Sequence, residues 1–181
     1  MKKEIKIAIV ILIVFLSFLW IEKPLREYLS LHLFEEKIAK QISKITIRTI
    51  VIIASFVMIK KLRLIDFTGL NSWKTHRNIH APVIAFVFII FGIAANWSTY
   101  KSANIELLFL FAISVSMVGI FEELLFRGAI FPLFIKSFEP TNKPILISAV
   151  LSSLMFGIVH FINLFSQPEN IIGITSQVFF A

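Results

Sequence analysis

The chain has 181 residues, of which 57% are hydrophobic and only 16% are charged. Soluble domains are nearer half apolar and a quarter charged, so this composition excludes an ordinary soluble domain and indicates a membrane protein. The net charge of +7 comes from basic residues between long apolar runs and not from one polar face, which argues against a nucleic-acid partner. The absence of cysteine excludes disulfides, zinc–thiolate sites and a thiol nucleophile.

Six apolar runs follow one another along the chain. They cover residues 7–21, 45–59, 81–97, 107–135, 145–165 and 171–181. The second run is short for a bilayer, and the last has eleven residues where a spanning helix needs about twenty. The sequence therefore predicts an all-α fold, a polytopic transmembrane helix bundle of about five full spans with a truncated sixth, as in a chain that is incomplete at its C-terminus.

The first run follows the basic start MKKEIK and ends near Trp20, a residue type that is enriched at membrane interfaces. A cleaved secretory signal peptide has an apolar region of similar length. No small-residue cleavage site follows the run, and Glu22, Lys23 and Pro24 stand there instead. A retained membrane span is therefore favoured over a signal peptide.

Between Arg26 and Lys44, apolar residues recur at helical spacing among charged ones. The apolar positions are Leu31, Phe34, Ile38, Ile42 and Ile45. This pattern predicts an amphipathic helix that lies in the membrane interface or covers the bundle, and a solvated helical connector fits the periodicity equally well. Arg48, at one end of the second span, is expected to snorkel toward the membrane surface.

Lys and Arg residues assign the loops to the two sides of the membrane. The MKK start and the segment 60–77 are basic and are predicted to be cytoplasmic, whereas the segment 22–48 is balanced and is predicted to be external. Alternating crossings then place the turn EPTNKP in the cytoplasm. We divide the chain into an N-terminal transmembrane region, 1–100, with the interfacial helix and a cytoplasmic loop, and a second region, 101–181.

The stretch GIFEELLFR places two carboxylates and an arginine inside the fourth apolar run, which carries no other charge. Ionisable groups at membrane depth are costly and usually face a protein interior or a wet cavity. On a helix, Glu123 and Arg127 share a face, which predicts a buried structural ion pair. Glu122 is rotated by about 100° from Glu123, which leaves its carboxylate free to act as a general base on water.

A base needs a partner at the same depth, and His160 lies inside the fifth apolar run. If the fourth run is one helix to its end, Glu122 and His160 lie about 20 Å and 22 Å from the cytoplasmic ends of adjacent antiparallel helices. The two side chains then match in depth, whereas a helix that stopped just before Glu122 would separate them. We expect Phe156 to pack on the imidazole ring and Asn163 to hydrogen-bond nearby.

Other roles for these charges remain open. They can hold helices together without chemistry, or line a path for ions or substrates. A divalent metal held by Glu122, Glu123 and His160 is less favoured, because the sequence lacks HExxH spacing and offers few neutral nitrogen ligands. We therefore predict a site without a metal or other cofactor.

Two motifs in this part of the chain resemble those of the CPBP family, the CAAX-protease and bacteriocin-processing membrane proteins, also called Abi proteins. EELLFR, from Glu122 to Arg127, is similar to the EExxxR motif of that family. FGIVH, from Phe156 to His160, is similar to its FxxxH motif, and Asn163 fits a common continuation. The similarity covers about 105–181, whereas the first hundred residues match only as generic membrane spans.

The resemblance implies an intramembrane endopeptidase similar to the type II CAAX prenyl endopeptidases, with 101–181 as its catalytic core. Carried over by position, Glu122 would activate water together with His160, and Glu123 and Arg127 would support the site. The family also has a later HxxxN-like motif that is thought to stabilise the oxyanion. No histidine follows His160 in these 181 residues, so the resemblance implies low activity for this chain alone.

Bacterial members of the family are often linked to bacteriocin processing or self-immunity. The resemblance therefore implies a multi-pass protein of the bacterial cytoplasmic membrane that acts on a peptide or protein substrate, with its N-terminus in the cytoplasm. One alternative is a non-catalytic immunity or peptide-binding protein that retains the fold. A more remote alternative is a fragment of a transporter that uses the charges as an ion path.

Overall fold

A computed structural model of the chain describes residues 2–68 and 97–161, with isolated positions at 83, 86–87, 90, 93–94, 171–172 and 174–175. The elements in this part of the chain are all helical. They are α1 (Lys3–His32), α2 (Glu36–Lys61), a 3₁₀ turn (Ile65–Phe67), α3 (Trp97–Ser102), α4 (Ile105–Glu122), a π-helical segment (Glu123–Ile130), α5 (Phe131–Phe138) and α6 (Pro144–Phe161).

Within the described residues, four helical segments are long and apolar enough to cross a membrane. They are α1, α2, the continuous 34-residue segment Ile105–Phe138 and α6. The predicted polytopic all-α membrane bundle is therefore confirmed. The predicted third span, 81–97, and the predicted sixth, 171–181, lie largely outside the described residues.

The first helix, α1, runs unbroken through Pro24 and packs into the bundle through Ala8, Ile11 and Phe15, which are buried. A proline removes one backbone hydrogen bond and usually kinks a helix, but Pro24 lies in the last third of α1, beyond this buried stretch. α1 therefore packs as a member of the bundle, and its retention as a membrane span stays a prediction.

The predicted interfacial helix between Arg26 and Lys44 is wrong as a separate element. Residues 26–32 continue α1, the chain turns at 33–35, and α2 runs from Glu36 to Lys61 without a break. The charged periodicity belongs to the adjoining ends of two spanning helices, where polar residues reach the membrane surface. The second apolar run, 45–59, is short for a bilayer, but the helix that contains it is longer. The 26 residues of α2 are about 39 Å long, which is enough to cross the membrane.

Contacts between helix ends show which loops share a side of the bundle. The Lys2 ammonium hydrogen-bonds the carbonyl oxygen of Ser137, so the start of α1 lies beside the end of α5. The Lys136 ammonium lies 3.5 Å from the carbonyl oxygen of Arg63, which places the end of α2 there as well. These three ends share one side, as the distribution of basic residues predicts, and which side faces the cytoplasm stays a prediction.

The middle of the 34-residue segment is a π-helix. The Phe131 N–H donates to the carbonyl of Phe126, five residues earlier, in place of the usual four. Pro132 gives a physical reason for the wider turn, because a proline ring clashes with the carbonyl four residues before it and has no N–H to donate. The helix therefore continues past Glu122 to Phe138 with one widened region.

This π segment packs closely against α2. A Cβ atom added at Gly128 would lie 2.8 Å from Cδ1 of Ile59, closer than real Cβ contacts. Around Gly128 the segment buries Leu125, Phe126, Ala129 and Ile130. The widened turn is thus part of the apolar core. Because Glu122 directly precedes this turn, the packing sets the position of Glu122 along and around the helix axis.

Candidate active site

Glu122 and His160 face each other across the interface between the last turn of α4 and the last turn of α6. Nε2 of His160 lies 3.8 Å from Oε1 of Glu122, and the two side chains are 13% and 31% exposed. The fourth run does not stop at Phe121, so the condition for matched depth is met. Glu122 and His160, which the sequence predicts at the same depth, therefore lie close together in the structure.

The imidazole ring of His160 is fixed by its own helix. Nδ1 lies 3.0 Å from the carbonyl oxygen of Phe156, and because a carbonyl only accepts, Nδ1 is the donor. In the neutral ring this leaves Nε2 as an acceptor that faces Glu122. The Phe156 ring packs on the imidazole with centroids 4.3 Å apart and meets Phe126 edge-on at 4.8 Å, so the imidazole is also held by packing.

Glu122 and His160 open onto an interior cavity of about 190 Å³. α1, α2, α4, the π segment and α6 all contribute to its wall. The described polar residues that line it are Glu122, His160 and Arg48. The other described lining residues are apolar: Leu12, Phe15, Leu16, Leu19, Val118, Phe121, Leu125, Phe126 and Val159. Three polar side chains thus converge on an otherwise apolar cavity.

Arg48 is held by an ion pair with Glu22 of α1. Its Nη1 lies 3.0 Å from Oε2 of Glu22, and the two side chains are only 13% and 19% exposed. The prediction that Arg48 snorkels to the surface is therefore wrong, because α1 offers it a carboxylate inside the bundle. Sequence reasoning missed this pair, although Arg48 inside an apolar run and Glu22 at the end of another were its visible signal.

The ion pair predicted between Glu123 and Arg127 is present, with Nη1 3.1 Å from Oε1, but its predicted burial is wrong. The side chains are 60% and 73% exposed, because Leu125 and Phe126 of the π segment take the inward positions. With Glu122, the pair lines an open groove of about 310 Å³. Its other lining residues are Gly119, Phe126, Ser152, Ser153 and Phe156.

The outward position of Glu123 also bears on metal binding. Within the residues that the structure describes, no three His, Asp or Glu side chains are grouped closely enough to hold a metal ion. Glu123 is hydrogen-bonded to Arg127 and so does not join Glu122 and His160 as a third ligand. Asn163, expected to hydrogen-bond near the site, lies outside the described residues.

The bundle and its site define a class of protein: a polytopic α-helical membrane protein with a carboxylate–imidazole pair beside an interior cavity. Residues 104–181 match the family model described as type II CAAX prenyl endopeptidase Rce1-like. The matched segment is somewhat less than half of the chain and contains both Glu122 and His160. This region is therefore similar to the CAAX proteases, in agreement with the resemblance of its two motifs to the CPBP family. No curated protein and no solved structure matches the chain.

Proposed function

We propose that this chain is an intramembrane endopeptidase in which Glu122 activates a water molecule to hydrolyse a peptide bond. The observation that carries the proposal is the 3.8 Å separation between Nε2 of His160 and Oε1 of Glu122. That distance is too long for a direct hydrogen bond, and polar groups at such a separation are often bridged by water. The family match supports a protease of the CAAX type.

A water between these two groups would be oriented for attack. An ionised Glu122 accepts hydrogen bonds, and so does Nε2 of His160 when Nδ1 carries the proton. The water then donates one hydrogen to each and turns a lone pair away from both. Such a water is a positioned nucleophile, and a carboxylate within reach of its proton is the geometry of general-base catalysis.

The apolar wall of the cavity suits an apolar peptide segment as the substrate. Nine described lining residues are aliphatic or aromatic, so a polar side chain bound there would lose its contacts with water. We infer a peptide or membrane-anchored protein substrate, in keeping with the bacterial CPBP proteins that the sequence resembles. Bacteriocin processing or self-immunity at the bacterial cytoplasmic membrane is the corresponding biological setting.

The test measures cleavage of a library of apolar peptides by the chain in membranes, with products identified by mass spectrometry. We expect Glu122→Gln and His160→Ala each to lower the rate by about 10²- to 10⁴-fold, the usual contribution of a general acid–base group. Glu106→Gln is the matched control, because it makes the same change on the same helix about 24 Å away.

The same experiment separates the enzyme from a non-catalytic immunity or peptide-binding protein. Cleavage by Glu122→Gln at the rate of the unsubstituted chain would refute the proposed mechanism. Peptides that bind to the unsubstituted chain without being cleaved would instead identify a binding protein that retains the protease fold.

A further inference from the structure

Arg48 is one of the residues that line the cavity beside Glu122 and His160. A guanidinium has five N–H donors and no acceptor. In the described part of the chain, Glu22 is the hydrogen-bond partner of Arg48, through a single contact of 3.0 Å. Among the described residues, the remaining N–H groups of Arg48 have no further hydrogen-bond partner.

The three polar side chains of the cavity divide into acceptors and a donor. Glu122 as a carboxylate and Nε2 of His160 both accept, so they suit the hydrogens of a water molecule. Neither can stabilise new negative charge on a bound peptide. Arg48 is the donor among the described lining residues, and it is always protonated.

We propose that Arg48 is a catalytic residue that stabilises the negative charge developing on the carbonyl oxygen of the scissile bond, and that Glu22 is the residue that positions it. This inference rests on the proposed function. Preorganised donors aimed at developing charge make one of the largest contributions to catalysis, and they act most strongly where water is excluded. Most of the described wall of this cavity is apolar.

The reaction can be followed atom by atom. The water oxygen forms a bond to the carbonyl carbon, one water proton passes to the Glu122 carboxylate, and the π electron pair of the C=O bond becomes a lone pair on an oxygen held by Arg48. The tetrahedral intermediate then re-forms the C=O bond, the C–N bond breaks, and the leaving nitrogen takes the proton from Glu122. The products are a carboxylic acid and an amine, and Glu122 is again ionised.

Glu22 has a distinct part in this arrangement. An arginine side chain loses considerable rotamer freedom when it is held in one orientation. The ion pair with α1 holds the guanidinium before a substrate arrives, so that orientation need not be achieved during the reaction. The pair also joins α1 to α2, which means that its removal affects folding as well as catalysis.

The test compares Arg48→Gln, Arg48→Lys and Glu22→Gln with the unsubstituted chain in membranes, using a peptide that the chain cleaves. Loss of one oxyanion donor typically lowers kcat by about 10²- to 10³-fold. We expect a fall of that size for Arg48→Gln with KM changed by less than about twofold, because the interaction forms only in the transition state. Arg48→Lys should keep part of the rate, and Glu22→Gln should lose less than Arg48→Gln.

The charge swap Glu22→Arg with Arg48→Glu separates catalysis from folding. It rebuilds the ion pair between α1 and α2 but places a carboxylate at the cavity wall. We expect the melting temperature in detergent to recover relative to Arg48→Gln, while cleavage stays at the level of Arg48→Gln. Recovery of cleavage together with stability would show a purely structural pair and overturn the inference.

The outcomes also distinguish this inference from the proposed function. Cleavage lost in Glu122→Gln but unchanged in Arg48→Gln would refute the role of Arg48 and leave the protease standing. A raised KM with an unchanged kcat in Arg48→Gln would also overturn it, since Arg48 would then bind substrate and transition state alike. Normal cleavage by Glu122→Gln would refute the proposed function itself.

Discussion

The charged pairs of this protein differ in burial, and burial decides how much each pair contributes to stability. Exposed ion pairs such as Glu123–Arg127 contribute about 0–1 kcal/mol to stability. Removing one partner of a buried pair such as Glu22–Arg48 costs about 3–5 kcal/mol, because the other charge is left without compensation. The same residue types therefore give a minor surface contact in one place and a strong link between helices in the other.

A buried polar contact also joins α2 to α4. The Ser114 hydroxyl donates to Oε1 of Gln41 at 2.8 Å, and both side chains are buried. Hydrogen bonds between membrane helices average about 0.6 kcal/mol and reach about 1.7 kcal/mol. We expect Ser114→Ala to lower the free energy of unfolding by about 1 kcal/mol, measured by denaturant titration in detergent micelles.

Ser116→Ala is the control for this measurement. Ser116 stands two residues further along α4 and is exposed, and its hydrogen bond within the described residues is to the carbonyl of Ala112 on its own helix. Its substitution should leave the free energy of unfolding nearly unchanged. Equal losses from the two substitutions would mean that the contact with Gln41 contributes nothing specific.

At this scale the sequence predicts contacts along one helix or at one depth better than contacts between helix faces. Glu122 and His160 were predicted together because their heights above a shared turn could be estimated from helical rise alone. Glu22 and Arg48 belong to different helices whose rotation about their axes the sequence does not give. The exposure of Glu123 was missed for the same reason, since the π segment sets which of its neighbours face inward.

Among the elements, the π segment is the one that sets the position of the site. It follows Glu122 directly and packs against α2 through Gly128. An extra residue in a helical turn rotates everything on one side of it relative to the other. The segment therefore lets Glu122 face the cavity while α5 keeps Leu133 and Phe134 in the core.

Substitutions at Gly128 test this close packing. We expect Gly128→Ala to lower the melting temperature by a few degrees, because its Cβ would meet Cδ1 of Ile59 at 2.8 Å. Ile59→Val removes that carbon and alone costs about 0.5–1.5 kcal/mol as a loss of buried volume. The double variant should be more stable than the sum of the single effects predicts, as measured by thermal unfolding in detergent.

Strict additivity of the two changes would contradict the contact between Gly128 and Ile59. The π segment itself was not predictable from apolar periodicity, since apolar residues occupy every face of the run from 107 to 135, in which Glu122, Glu123 and Arg127 are the charged residues. Pro132 was the visible signal, but a proline can equally kink or end a helix. The false interfacial helix has a related cause, because helical spacing continued across the turn at 33–35.

In the molecule as a whole, Glu122 stands between two spaces. It lines the interior cavity on one side and the open groove along α4 and α6 on the other. The groove also carries Glu123, Arg127 and two serines, so its polar wall offers hydrogen bonds to water at membrane depth. We propose that water reaches Glu122 through this groove.

Filling the groove should slow the reaction without touching the cavity. Gly119 lines the groove, and a Cβ there would meet no atom within 4 Å, so a side chain can begin at this position without a clash. We expect Gly119→Leu to lower kcat by about tenfold, which corresponds to about 1.4 kcal/mol in the barrier, with the melting temperature unchanged. Peptide cleavage in membranes is the measurement.

Ile120→Phe provides the comparison, because Ile120 is half exposed on the same turn and does not line the groove. Its cleavage rate should equal that of the unsubstituted chain. If Gly119→Leu cleaves at the full rate, water reaches Glu122 by another path.

The Glu22–Arg48 pair also has a consequence for how the protein enters its membrane. An unpaired charge in an inserting helix costs about 2.5–3.5 kcal/mol at the helix centre on biological insertion scales, and less toward the helix ends. α1 carries the carboxylate and α2 the guanidinium, and only three residues separate the two helices. Each charge would be unpaired if its helix partitioned into lipid alone, whereas the two neutralise each other when α1 and α2 are paired as a hairpin. We therefore expect α1 and α2 to insert as one unit.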